Sequence, residues 1–391
     1  MTEPSGDDAI AERVAEQAAS KPPAVEQLIA IWSRVLETTP IAADSNFFDL
    51  GGDSFLAMTM LLEIERETGI TVPFTAIYDA PTVELLAAFI GKQAPKFSPL
   101  VCLKSGGDAP PVFIVHGIGG TVMELTKLGA LIDYAGAVYA LQAKGLDGLD
   151  APLSKVDDMA AYYLAAIREV QPHGPYHLAG YSFGGLVALE MGRRLKTSGL
   201  QVGLLVLIDS YAHPRTWPLQ TRLAVRRRRL LHRISVLAQN PSREARSYAQ
   251  LAIAQFKRRL RRQGDSRSSV TSWLGDHTLA LTPALRLVRA AGEMAVGNYM
   301  PARYPGELTF LRAECPDRAF PTHPGPVWKP LAEAMTVHTV KGDHFSMVDE
   351  HVACIAGRLS LCLKQALAER AGAVQRGAPN LVSRAVENVS C

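Results

Sequence analysis

The chain has 391 residues, 48% hydrophobic and 20% charged, an ordinary globular composition with room for two or three domains. No run approaches the roughly 18 uninterrupted apolar residues of a membrane helix. The acidic, polar Met1–Asp8 lacks signal-peptide order, and five cysteines without a C-x-x-C pair fit a reducing cytoplasm with neither a disulfide framework nor a zinc site. The net charge of +3 hides an asymmetry: residues 1–92 carry 5 Lys/Arg against 15 Asp/Glu, a net of −10, and the remainder +13. Opposite fields of that kind favour encounter at low salt, although a small acidic domain is also simply well solvated.

Residues 1–22 are polar and rich in Ala and Glu, and are expected to be a flexible leader. Val25, Leu28, Ile29, Trp32, Val35 and Leu36 recur at helical spacing and predict a first helix with one buried stripe. A turn-rich stretch runs from Thr38 to Asp53. A second helix is predicted from Ser54 to about Glu67, with Leu56, Met60, Leu61 and Ile64 inward and Gly69 as its stop; Pro81-Thr82 open a last helix through Ile90. Residues 23–92 thus read as a small all-α bundle, and 93–99 as a linker.

From residue 100 the pattern becomes strand–loop–helix. Strands are expected at Val112–Val115, Val138–Gln142, Tyr176–Ala179, Gly203–Ile208, Glu307–Arg312 and Met335–Val340, and helices at Met159–Val170, Gly184–Leu195 and Ser346–Ala368. Such alternation predicts a mostly parallel sheet with helices on both faces across residues 100–371. A helical insertion, about 215–298, interrupts it as a lid. Within 215–267 there are 15 Lys/Arg against Glu244 and Asp265, including Arg226-Arg227-Arg228-Arg229. The run lacks the interleaved aromatic platforms of single-strand nucleic-acid binders, so a solvated helix face or carrier docking is expected instead. Residues 372–391 read as a flexible tail.

Two serines carry the chemistry. Ser54, in Asp49-Leu50-Gly51-Gly52-Asp53-Ser54-Phe55-Leu56-Ala57, stands at a predicted helix start, where free N–H groups and the helix dipole favour an anion such as a phosphodiester. An ordinary N-cap serine is the plainer alternative. With Asn46-Phe47-Phe48 preceding it, the string resembles the peptidyl carrier domains of nonribosomal peptide synthetases. That resemblance implies covalent 4′-phosphopantetheine on Ser54, attached by a phosphopantetheinyl transferase.

Ser182 lies in Gly180-Tyr181-Ser182-Phe183-Gly184, a G-x-S-x-G motif between a predicted strand and helix, the context of a nucleophile elbow. Such a serine needs a base and an orienting acid. His344, in Gly342-Asp343-His344-Phe345 after the last strand, is the candidate base, ahead of His116, His177, His338 and His351, which read as core or surface histidines. Asp209 and Asp317 both keep the order Ser…Asp…His. Ile208-Asp209-Ser210, Tyr299-Met300-Pro301, Tyr304-Pro305-Gly306 and Gly342-Asp343-His344-Phe345 resemble the terminal thioesterase domains of peptide and polyketide synthases, of the α/β-hydrolase superfamily. The resemblance selects Asp209 as the acid. Oxyanion donors are expected from the Phe183 N–H and, in the His116-Gly117-Ile118-Gly119-Gly120 loop, from the Ile118 N–H.

Together these features imply a carrier–thioesterase didomain. It would hold an acyl or peptidyl chain as a phosphopantetheine thioester, supplied by upstream synthetase modules or a loading enzyme. It would release the chain through a Ser182 acyl-enzyme by hydrolysis or cyclisation. An acyltransferase passing the chain to an amine or alcohol is the alternative. No metal, nucleic acid or membrane is expected, and the compartment is cytoplasmic.

Overall fold

The apolar stripe of the first helix, α1 (Val25–Leu36), turns Leu28, Ile31 and Trp32 into a small helical core. In this computed structural model the described residues are 23–52, 54–70, 72, 76–91, 97–239 and 283–375. The expected leader, most of the linker, the middle of the lid and most of the tail lie outside them. Helix α2 (Ser54–Thr68) adds Met60, Leu61 and Ile64 to that core. A four-residue α3 (Ala76–Asp79) and α4 (Val83–Gly91) add Ile77, Val83 and Leu86. Phe47 from the intervening loop meets Trp32 edge-on at 5.2 Å. Gly69 ends α2 with φ 71°, as its sequence position predicts.

The second half is built on β1 (Leu100–Lys104), β2 (Val112–Val115), β3 (Val138–Leu141), β4 (Tyr176–Tyr181), β5 (Val202–Ile208), β6 (Tyr304–Ala313) and β7 (Ala332–Val340). They form one sheet in the order β1-β3-β2-β4-β5-β6-β7. Only the β1–β3 pairing is antiparallel. The sequence pattern did not predict β1: an edge strand of mixed exposure lacks the apolar run that marks the central strands. Helices α6 (Val156–Val170) and α7 (Phe183–Thr197) cover one face. The other face carries α5 (Met123–Leu131), which was also not predicted, and α11 (Val352–Gln375).

Two expectations need correction at the C-terminal end. Ser346–Val348 is a separate 3₁₀ turn, and His351 lies in the turn before α11 rather than inside the helix. Helix α11 itself continues to Gln375, past the expected boundary at residue 371. Of the lid, α8 (Leu219–Gln239) and α9 (Pro283–Asn298) are described; 240–282, with Lys257-Arg258-Arg259, lies outside the described residues. The remaining short helix, α10 (Gly325–Trp328), leads into β7.

Candidate active site

Strand β4 delivers Ser182 to the C-terminal edge of the sheet, and α7 starts one residue later. The turn is sharp: Ser182 sits at φ 53°, ψ −116°, a strained conformation for a residue with a side chain. Helix and neighbouring strand approach closely here. A Cβ on Gly184 would lie 2.2 Å from the His116 carbonyl oxygen, so only glycine fits.

Asp209 ends β5 at φ 43°, with its N–H donated to the Leu311 carbonyl of β6 at 2.8 Å. Its side chain is buried. Oδ1 accepts from the Ala313 N–H at 3.3 Å, which leaves Oδ2 for His344 Nδ1 at 2.8 Å. His344 follows β7 through Gly342, whose φ of 97° suits glycine. The Asp343 carboxylate ties this loop by accepting from the Phe345 and Ser346 N–H groups. Those bonds, the Ser346 N–H first, hold its carboxyl below the usual carboxylate range. His344 Nε2 lies 3.0 Å from Ser182 Oγ. The Tyr181 ring stacks on the imidazole at 5.2 Å, and its hydroxyl donates to the His344 carbonyl at 2.6 Å. Phe320 and Phe345 lie against the other sides of the same ring.

Asp317, the rival carboxylate, lies on an exposed loop of the same cleft. Its backbone carbonyl accepts from Arg228 of α8 at 2.8 Å. Arg228 also bonds the Phe320 carbonyl, and Arg229 Nε donates to the Arg318 carbonyl at 3.4 Å. The run expected to be a solvated face or a carrier-docking surface is thus divided. Arg226 and Arg227 are exposed, whereas Arg228 and Arg229 fasten the lid to the loop that seats Phe320 against the histidine.

Ile118 and Phe183 line the cleft beside Ser182, together with Tyr211, Val296, Phe320 and Phe345; it encloses about 820 Å³ of empty space, its open mouth included. Phe183 is the first residue of α7, so its N–H has no partner within the helix. His116 is more than an inert core histidine. It is buried under the Ile118 loop, with Nδ1 on the Gly117 carbonyl and Nε2 on the Tyr163 hydroxyl at 2.6 Å. Burial lowers its pKa to about 4, so the ring is neutral. His177, bonded to Tyr134, is likewise lowered to about 4 by burial. Sequence reasoning missed Tyr181 and His116 as neighbours of this site. Their only signal was position: one residue before Ser182, and at the loop's first residue.

At the other end of the chain, Ser54 is the first residue of α2. Gly51 has φ 89°, and a Cβ on Gly52 would fall 2.3 Å from the Phe47 ring. At Gly51 and Gly52 the chain turns in a way that other residues would not fit. Ser54 thereby stands at a helix N-terminus, where a phosphodiester is stabilised by free N–H groups. The residues present fit a phosphopantetheine attachment.

A G-x-S-x-G serine at a strained strand-to-helix elbow, on a mostly parallel sheet with helices on both faces, is the architecture of an α/β-hydrolase of the serine type. The thioesterase domain model matches residues 110–360 and the phosphopantetheine attachment site model residues 26–90. The chain belongs to the thioesterase domain family, with a phosphopantetheine carrier domain in front. It is similar to the malpinin synthetase of Mortierella alpina, 38% identical over 199 residues, covering 49% of this chain and 3% of that one. It is similar over a longer stretch to the dimodular nonribosomal peptide synthase of Bacillus subtilis (strain 168), 31% identical over 326 residues, covering 79% of this chain and 13% of the relative. The chain thus spans a small fraction of the relatives it matches. Among solved structures, a four-domain nonribosomal peptide synthetase in its holo form with AMP and glycine shares the fold at TM-score 0.52 and 23% identity, covering 87% of this chain and 26% of that one. The comparisons lend no support to the acyltransferase alternative. Among the described residues no helix is long and apolar enough to cross a membrane.

Proposed function

We propose that this chain releases an acyl or peptidyl chain from its own carrier domain during nonribosomal peptide synthesis, with Ser54 as the attachment residue and Ser182, His344 and Asp209 as nucleophile, base and orienting acid. The domain limits proposed are 23–92 for the carrier and 100 to about 375 for the thioesterase, with the lid at 215–298. When attached to Ser54, 4′-phosphopantetheine supplies the thiol on which the chain is held as a thioester. A phosphopantetheinyl transferase installs it, upstream synthetase modules or a separate enzyme load it, and the compartment is cytoplasmic.

The observation that carries the reading is the continuous relay of 3.0 Å from Ser182 Oγ to His344 Nε2 and 2.8 Å from His344 Nδ1 to Asp209 Oδ2, on the wall of an apolar cleft. Asp209 holds the Nδ1–H tautomer, which leaves Nε2 free to accept the serine proton. Ser182 Oγ adds to the thioester carbonyl carbon as that proton passes to His344. The oxyanion is received by the Phe183 and Ile118 N–H groups, donors worth about 10²–10³ in rate each. The C–S bond breaks, His344 returns the proton to sulfur, and the acyl group remains on Ser182. Water, or a nucleophile within the chain itself, then attacks with His344 again as base. Hydrolysis gives an acid and the internal attack a ring.

The test is intact-protein mass spectrometry. A phosphopantetheinyl transferase is expected to add one prosthetic group to the wild type and none to Ser54→Ala. The loaded wild type is then expected to lose its acyl mass with time, and small-molecule analysis of the product separates acid from ring. Modification of Ser54→Ala would overturn the carrier assignment.

A further inference from the structure

The Ile118 N–H belongs to the Gly117–Ile118 peptide, and both that peptide and the one before it are held. Its carbonyl end, Gly117 O, accepts from the Gly120 N–H at 3.2 Å and from His116 Nδ1. A trans peptide sends its N–H and C=O in opposite directions, so fixing the carbonyl aims the Ile118 N–H away from His116. The preceding His116–Gly117 peptide is held by Glu124. Its Oε1 accepts from the Gly117 N–H at 2.9 Å.

Glu124 stands in the first turn of α5, where an acidic side chain ordinarily serves the helix dipole and the helix's own free N–H groups. Here the carboxyl reaches seven residues back to the loop instead. The approach is so close that a Cβ on Gly117 would lie 2.4 Å from Oε1 and 3.2 Å from the Tyr181 ring. Tyr181 in turn stacks on His344. Glu124 is thus continuous with the catalytic machinery, yet no step of the reaction uses it. Burial pushes its carboxyl up to about 7, against the opposing pull of the Gly117 N–H and of His344.

We propose that Glu124 is a positioning residue for the oxyanion loop: by accepting the Gly117 N–H it fixes the His116–Gly117 peptide, the unit next to Gly117–Ile118, so that the Ile118 N–H meets the developing oxyanion. The proposal rests on Ser182 being the nucleophile and Ile118 an oxyanion donor. No bond to Glu124 forms or breaks. A protonated carboxyl keeps an acceptor oxygen, so the hold persists on both sides of its titration.

The experiment compares wild type, Glu124→Ala, Glu124→Asp and Glu124→Gln as full-length proteins on a small acyl thioester and against an acyl trifluoromethyl ketone. Ser182 Oγ adds to the ketone carbon and its proton passes to His344, which leaves an alkoxide in the oxyanion position. Glu124→Ala is expected to lower kcat about 10- to 100-fold, the scale of a misaligned reacting group, with KM within about two-fold. Affinity for the ketone should fall in parallel. Glu124→Gln, which retains an acceptor oxygen at the same reach, should keep kcat within about three-fold, less than the loss of one oxyanion donor. Glu124→Asp, charged but short of the Gly117 N–H, should behave like Glu124→Ala, and it decides the matter if the alanine variant does not fold. Wild-type kcat in Glu124→Asp, equal loss in Glu124→Gln and Glu124→Asp, or a kcat loss without a loss of ketone affinity overturns the proposal. Turnover that survives Ser182→Ala would instead overturn the serine mechanism, and the role of Glu124 with it.

Discussion

Asp209→Asn removes one charge and almost no volume, and its effect is dictated by the bonds around the side chain. The Ala313 N–H donates to Oδ1 of Asp209, so an asparagine here turns its carbonyl oxygen toward Ala313. Its amide NH₂ then faces His344 Nδ1, where the carboxylate oxygen had been at 2.8 Å. A donor in that place selects the imidazole tautomer with its hydrogen on Nε2, facing Ser182 Oγ, and the base is lost. The imidazolium formed during acylation also loses its counter-charge. At 2.8 Å and an effective dielectric of about 20, that attraction is on the order of 6 kcal/mol. At about 1.36 kcal/mol per decade this corresponds to roughly 10⁴ in rate, the scale on which loss of an orienting acid is felt. The assay is thiol release from a small acyl thioester, with Asp317→Asn as the comparison. Asp317 bonds no histidine nitrogen among the described residues, so its variant should stay within about ten-fold of wild type, one decade or about 1.4 kcal/mol. A loss below about 10² in Asp209→Asn, two decades short of expectation, or a larger loss in Asp317→Asn, would refute the assignment.

The lid arginines separate by what they touch. Arg226→Gln with Arg227→Gln should slow deacylation of a separately supplied carrier about three-fold at low salt, since exposed ion pairs contribute about 0–1 kcal/mol each. The same double variant should flatten the salt dependence and leave a small thioester untouched. Arg228→Gln should slow both substrates, because it frees the Asp317 and Phe320 carbonyls that seat Phe320 against His344; a selective effect on the carrier would contradict this. His116 and His177 are neutral with pKa values near 4 in the folded chain, against about 6.5 unfolded, so the unfolded chain takes up protons first as pH falls. Stability should therefore drop from about pH 6.5 toward 4, by up to about 1.4 kcal/mol per pH unit for each histidine. Glu124, raised to about 7, acts in the opposite sense over part of that range. Denaturant unfolding at pH 7, 5.5 and 4.5 checks the net fall, and a flat or rising free energy contradicts it.

The parts legible in the sequence are those with local signals. Val112–Val115 is a fully apolar run and appears unchanged as β2, and the elbow around Ser182 is announced by glycines on both sides. The choice of Asp209 over Asp317 was not legible from spacing, since both keep the chain order; it came from resemblance, and the geometry brings Asp209 to His344. Non-local features were silent. Strand β1 has its place because β3 offers a free edge, and α5 has a weak amphipathic pattern interrupted by Gly129. Glu124 stands in a helix the sequence did not announce, and its contact appears only when the fold brings Gly117 to it. Likewise the run Arg226–Arg229 reads as one basic block, and only tertiary contact divides it into exposed and anchoring pairs.

The most direct measurement of the central claim is the fate of the acyl group on the holo-protein when Ser182 is changed to Ala. Intact-mass and peptide-level mass spectrometry would follow the chain over time after loading. In the wild type the acyl mass should leave the Ser54 peptide, pass through the Ser182 peptide and disappear. In Ser182→Ala it should stay on the Ser54 peptide, with release slowed at least about 10³-fold, as when a catalytic nucleophile is removed. Release from Ser182→Ala at the wild-type rate would contradict the account.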